Sequence, residues 1–82
     1  NKTYAYHVFS GEKNPSRDKV IALGFGFQMS VEDMQRLLRF SGNRALYPRD
    51  KRDSVIRFAV NKAKDIISCN VLLNDLGLNV LD

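Results

Sequence analysis

The side chains that most often carry catalysis or bind metals are few in this 82-residue chain, and their spacing does not group them. The chain has one histidine, His7, and one cysteine, Cys69, so it cannot supply the four nitrogen and sulfur ligands of a typical structural zinc site. Cys69 stands at an apolar helical spacing, which favours a small core residue over a nucleophile. We therefore predict that the protein is not an enzyme, needs no cofactor or metal, and has no evident small-molecule substrate.

The chain repeats itself at an offset of 35 residues. Residues 17–21 (RDKVI) align without a gap with residues 52–56 (RDSVI), and this register holds for a whole module. A repeat of this length is one supersecondary unit used twice, since such a unit cannot bury its apolar face alone. The sequence predicts two superposable helical hairpins, residues 17–46 and 52–81, packed on each other.

Two acidic residues, Asp18 and Asp53, are equivalent in this repeat, and each follows an arginine. We predict a shared structural role for them in the first turn of a helix, rather than acid-base chemistry. The other acidic residues of the hairpins mostly stand at expected helix starts, where the positive end of the helix dipole favours negative charge.

Helix signals occur throughout, and the alternation typical of strands is absent. The predicted fold is all-α, with five short helices in one small domain: residues 3–10, 15–26, 31–41, 51–63 and 66–76. Asn14 and Pro15 suit the start of the second helix. Gly24 and Gly26 weaken that helix, so we expect them to permit close approach of a neighbouring helix.

The charge is concentrated in the middle of the chain. Residues 36–64 carry nine basic side chains against Asp50 and Asp53, whereas the whole chain has a formal net charge of +4. Such a segment suggests a polyanionic partner, although a solvated helix face with local ion pairs would have the same composition. The longest uncharged run, residues 20–31, is too short for a membrane span. With no signal-peptide pattern and no possible internal disulfide, we expect a cytoplasmic protein.

A series of motifs runs without insertion from residue 1 to about residue 38. The residues that form it are Ala5, Val8, Gly11, Pro15-Ser16, Val20-Ile21, Leu23, Phe27 and Ser30-Val31-Glu32-Asp33-Met34. This run resembles the second half of a lambda-repressor-like, or Cro-type (XRE family), helix-turn-helix domain. Residues 1–46 would form that half-domain, and residues 47–82 would be an extension that duplicates its last two helices.

The resemblance implies a sequence-specific DNA-binding transcriptional regulator, with double-stranded DNA as its partner. The first helix would be the recognition helix, with Ala5, Val8 and Phe9 facing inward. Its outer face would enter the major groove and consists of Asn1, at the helix start, with Lys2, Thr3, Tyr6 and His7. Around the following loop, the residues placed for phosphate contact would be Lys13, Asn14 and Arg17.

The first two helices of that family have no counterpart in this sequence. Either the intact protein carries them upstream of Asn1, or the chain is not competent for sequence-specific binding. The apolar surfaces that those helices would cover, on Val8, Phe9 and residues 20–27, lead us to expect self-association, most simply as a two-fold homodimer. The alternative function is a helical-repeat module for protein–protein interaction or dimerisation without DNA binding.

Overall fold

The structure is a computed structural model that describes residues 2–10 and 15–81, with the side chains of all of these except residues 2 and 8–10. The described residues form five helices and no strand, which confirms the all-α prediction. The helices are α1 (Lys2–Ser10), α2 (Arg17–Gly26), α3 (Val31–Phe40), α4 (Lys51–Asn61) and α5 (Ile66–Asp75).

Each helix of the two hairpins begins at a polar residue whose side chain accepts a hydrogen bond from a first-turn amide. Ser16 caps α2 and Ser30 caps α3, while Asp50 and Asp65 cap α4 and α5. These caps satisfy amide groups that have no partner inside the helix. Asn14, which we predicted to cap α2, lies outside the described residues, and the observed cap is Ser16.

The 35-residue repeat is present in the backbone. Helices α3 and α5 begin and end at residues that are equivalent in the repeat. The turns after α2 and α4 each contain a non-glycine residue of positive φ, Gln28 at 53° and Ala63 at 54°. The second helix of each hairpin, α3 or α5, is followed by a glycine in the left-handed conformation, Gly42 or Gly77. The predicted pair of equivalent helical hairpins is confirmed.

An approximate two-fold axis relates the hairpins. Within each hairpin, α2 packs on α3 and α4 packs on α5, and between hairpins α2 contacts α5 while α3 contacts α4. Exchanging the hairpins exchanges these two contacts, as a two-fold axis requires. Successive units of a solenoid are instead related by a step along the chain, so this arrangement is a closed pair rather than the beginning of a stack.

The core lies between the hairpins and is made of residues equivalent in the repeat. Its fully buried aliphatic side chains include Val20, Ile21, Leu37, Leu38, Ile56 and Leu73. In the second hairpin, Leu72 is half-buried and Leu76 is half-exposed. One expectation needs correction: residues 20–27 are not an open apolar face, because Val20, Ile21 and Phe25 are buried within this chain.

One close helix approach occurs at Gly24 of α2. A Cβ atom there would lie 2.6 Å from both Sδ and Cε of Met34, whereas a Cβ atom on Gly26 would meet nothing within 4 Å. The predicted role is therefore correct for Gly24 and wrong for Gly26. In the second hairpin the equivalent pair is Ala59 and Cys69, both fully buried.

Helix α1 packs mainly on α3. Ala5 is fully buried in the common core. The ring of Tyr6 meets that of Phe40 edge to face, with centroids 4.8 Å apart, and the ring of Tyr4 lies 5.9 Å from that of Phe27. Edge-to-face rings of this kind attract one another beyond their buried area, so α1 is held on the first hairpin by an aromatic contact as well as by Ala5.

Candidate functional site

The two hairpins exchange arginine–aspartate pairs at the starts of α2 and α4. Arg17 of the first hairpin binds Asp53 of the second, with distances of 2.9 and 2.8 Å to the two carboxylate oxygens. Arg52 of the second hairpin binds Asp18 of the first, at 3.1 and 2.9 Å. Both pairs are bidentate, which is the strongest geometry for a guanidinium and a carboxylate. The predicted structural role of the two aspartates is confirmed.

Each arginine of this exchange also binds the tail of its own hairpin. Arg17 donates to the carbonyls of residues 44 and 45, at 2.8 and 3.1 Å, and Arg52 donates to the equivalent carbonyls of residues 79 and 80, at 2.8 and 3.3 Å. The tails are fixed a second time by side-chain amides. Gln35 exchanges two hydrogen bonds with the backbone of Leu46, and Asn70 does the same with Leu81.

Asp53 is the more buried aspartate, with a side chain only 1% exposed. Burial alone would raise the pKa of Asp53, but hydrogen bonds from Arg17 and from the Tyr47 amide, with the charges of Arg17 and Arg44, hold that pKa below its ordinary value. On the other side, the hydrogen bond to Asp18 raises the pKa of Arg52. Asp53 and Arg52 are therefore ionised at neutral pH, and their ion pairs join the hairpins.

This geometry places Arg17, which was predicted to contact DNA phosphate, in the joint between the two hairpins. Its side chain is 18% exposed, and four of its N–H groups are directed at Asp53 and at its own hairpin's tail. Arg52 is engaged in the same way. Two arginines that looked available from the sequence are therefore structural.

The outer face of α1 holds part of the predicted DNA-binding set. Thr3 and His7 are exposed. Tyr6, which was predicted to face the major groove, is half-buried against Phe40 and the core. Lys2 is the first residue of α1, but its side chain is not among those described. The remaining predicted contacts, Asn1, Lys13 and Asn14, lie outside the described residues.

A basic groove lies between α3 and α4, with a volume of about 820 Å³. Three arginines line it, Arg36 and Arg39 from α3 and Arg57 from α4, and Phe58 of α4 and Glu32 of α3 also contribute. We call this feature the α3–α4 groove. From the sequence, these arginines are recognisable only as members of the basic segment, because nothing in the linear pattern shows that α3 packs on α4.

Cys69 lies in the core rather than in either surface. It is fully buried, and burial raises the pKa of its thiol despite the opposing charge of Arg52. A buried thiol with a raised pKa is a poor nucleophile. In the described part of the chain, no group of three or more acidic, histidine or cysteine side chains is placed to hold a metal ion.

Searches of protein-family models, curated proteins and solved structures give no match for this chain. Among the described residues, no helix combines the length and the apolar character that a membrane span requires. The protein has two candidate binding surfaces, the outer face of α1 and the α3–α4 groove.

Proposed function

We propose that this chain is the second half of a Cro-type DNA-binding regulator, with α1 as the helix that enters the major groove. The observation that carries the proposal is the orientation of α1. Its inner face docks through Ala5 and Tyr6, while Thr3 and His7 on the opposite side are exposed. A short helix fixed to a rigid support with polar side chains outward is the arrangement used for reading base edges.

The exposed basic residues near the start of α4 support the same proposal. Arg49 and Lys51 are exposed, and neither belongs to the arginine–aspartate exchange. Phosphate contacts of this kind position a protein on DNA without reading sequence. The expected division of labour is base reading by α1 and general attraction by such residues.

The test measures the binding of the protein to duplex DNA of random sequence, with fluorescence anisotropy as the readout, at a series of salt concentrations. We expect weak binding whose logarithm falls linearly with the logarithm of salt. Replacing Arg49 and Lys51 together by alanine should reduce the magnitude of that slope by about 0.9 for each lost phosphate contact. If the intact protein binds no duplex even at low salt, the proposal fails and the protein–protein interaction module takes its place.

We also propose that the protein is a homodimer, joined through α5. The outer side of α5 exposes 71% of Ile67 and 54% of Val71, and residues 66–74 carry no charge. In a chain of net charge +4, two copies repel least where their uncharged surfaces meet. This surface replaces residues 20–27, of which Val20, Ile21 and Phe25 are buried within the chain.

Sedimentation equilibrium tests the dimer. Replacing Ile67 by glutamate should shift the protein to monomer, because an apolar interface cannot easily bury two unpaired charges. Replacing Tyr47 by glutamate is the matched control, since Tyr47 is also an exposed apolar side chain but lies in the linker between α3 and α4. A wild-type protein that stays monomeric at high concentration contradicts the dimer.

A further inference from the structure

The two-fold relation provides an internal comparison for the α3–α4 groove. The contact between α2 and α5 is equivalent to that between α4 and α3, so each groove residue has a counterpart 35 positions away. Counterparts of the three arginines, Arg36, Arg39 and Arg57, are Val71, Asn74 and Ala22. Because the same fold forms with uncharged residues at these positions, the arginines of the groove are not required by the packing of the hairpins.

The groove arginines make few contacts with the rest of the protein. Arg36 pairs with Asp33 at 3.0 Å, but its side chain is 64% exposed, and such surface pairs contribute little. Within the described residues, the side chains of Arg39 and Arg57 form no hydrogen bond or ion pair. Several guanidinium groups around one groove repel each other, so an acidic ligand would relieve an unfavourable charge distribution.

The groove also offers apolar surface. Phe58 is 49% exposed, and Val31 and Pro48 belong to the same lining. A half-exposed aromatic side chain among arginines is the composition typical of protein interfaces, where both residue types are enriched. A ligand for this site should therefore combine carboxylates with at least one apolar side chain.

The dimensions and charge of the groove favour a peptide over nucleic acid. The helices α3 and α4 have 10 and 11 residues, which corresponds to walls about 15 Å long. That length suits about three turns of a bound helix. Glu32 lies in the wall and would repel an unbroken line of phosphates, whereas carboxylates spaced along a peptide can avoid it.

We propose that the α3–α4 groove binds an acidic, partly apolar segment of a partner protein. Arg39 and Arg57 pair with carboxylates of that segment, and Phe58 packs against its apolar side chain. No described residue of α1 belongs to the groove lining, so this binding does not depend on the DNA-binding function proposed above. A DNA-bound protein could in this way hold a second protein.

The experiment uses a fluorescein-labelled 15-residue amphipathic peptide of Glu, Asp, Leu and Phe, titrated with the full chain. In the test variant, Arg39→Asn with Arg57→Ala, each arginine is replaced by its repeat counterpart, so the substitutions suit the fold. We expect the affinity to fall by about tenfold or more, since a charge-assisted hydrogen bond contributes that much or more per pair. Phe58→Leu, also the repeat counterpart, should weaken binding without any change of charge.

The matched control is Lys19→Ala with Lys64→Ala, which removes the same charge from exposed residues outside the groove. We expect the affinity of this control for the peptide to change by less than about threefold, because exposed charges outside a binding site are screened by salt. Equal weakening of both double variants would overturn the proposal, as would equal binding of a peptide with Gln and Asn in place of Glu and Asp. If random duplex DNA displaces the peptide from the wild-type protein but not from the test variant, the groove is a phosphate-binding surface, and the proposal is also overturned.

Discussion

Asp53 illustrates how a charged side chain can hold two copies of one motif together. It is nearly inaccessible, yet both its oxygens accept hydrogen bonds from Arg17, and one also accepts from the amide of Tyr47. A buried carboxylate is costly unless its oxygens are bonded in this way. The exchange with Arg52 and Asp18 repeats the bond in the opposite direction and fixes the register of the two hairpins.

Replacing Asp53 by asparagine should destabilise the protein because it leaves Arg17 without its counter-ion. A fully buried pair broken on one side costs about 3–5 kcal/mol, and the partial exposure of Arg17 places this case near the lower limit. Chemical denaturation at neutral pH measures the loss. The matched control is Asp18→Asn, whose carboxylate is 27% exposed, and its loss should be smaller. Equal losses would contradict the special role of Asp53.

The same aspartate predicts a dependence of stability on pH. Because folding lowers the pKa of Asp53, its contribution is complete above the pKa of an unfolded aspartate, about 3.9, and is lost as the pH falls through the lower folded value. The free energy of unfolding of the wild-type protein should therefore fall below about pH 4 more steeply than that of the Asp53→Asn variant. Parallel curves for the two proteins would contradict this assignment.

At the scale of helices, the two hairpins solve one packing problem in two ways. In the first hairpin the small residue Gly24 faces the long side chain of Met34, and in the second Ala59 is paired with Cys69. From the first hairpin to the second, glycine is replaced by the larger alanine, and methionine is replaced by the smaller cysteine. Such compensation is what close packing of a core requires.

This compensation predicts the stability of three variants. Gly24→Ala should cost up to about 2 kcal/mol, because its Cβ overlaps the end of the Met34 side chain and forces it to move, while the helix preference of alanine offsets part of the cost. Adding Met34→Cys should recover part of that loss. Gly26→Ala is the control, and it should be neutral or stabilise by up to about 1 kcal/mol, because the site is open and alanine favours helix. Thermal melts separate these cases, and a double variant less stable than Gly24→Ala would contradict the compensation.

The sequence predicted the helices well because their signals are local. Ser30 and Asp65 were identifiable as caps, and the apolar spacing located Leu37 and Leu38 in the core. The two-fold axis was not predictable, since an offset of 35 residues shows which positions are equivalent but not which symmetry relates them. For that reason the sequence did not show that Arg17 and Arg52 join the hairpins.

The candidate sites were predicted less completely than the helices. Thr3 and His7 were correctly expected on an exposed face, whereas Tyr6 was not expected to pack on Phe40, because these residues are far apart in the chain and no local pattern joins them. The α3–α4 groove is formed by two helices from different hairpins. Its residues come together only through the symmetric packing that the linear sequence leaves undetermined.

At the scale of the whole molecule, the repeat has one scaffold and two different surfaces. The arginine–aspartate exchange and the tail contacts are the same in both hairpins, whereas the groove positions are basic on one side and uncharged on the other. With α1 docked on the first hairpin, the closed pair presents the exposed face of α1, a basic groove and an apolar side of α5. Each surface can therefore be altered without removing the bonds that join the hairpins.

The proposal that α1 reads DNA sequence is tested by a binding selection, which measures the sequence preference of the protein. Libraries of random duplexes are selected with the intact wild-type protein, with Thr3→Ala/His7→Ala, and with Arg39→Asn/Arg57→Ala as the control. We expect the wild type and the control to enrich the same sequences. The α1 variant should lose discrimination by about 1–3 kcal/mol for each good base contact removed. Enrichment that survives in the α1 variant, or is lost in the groove variant alone, would contradict the claim.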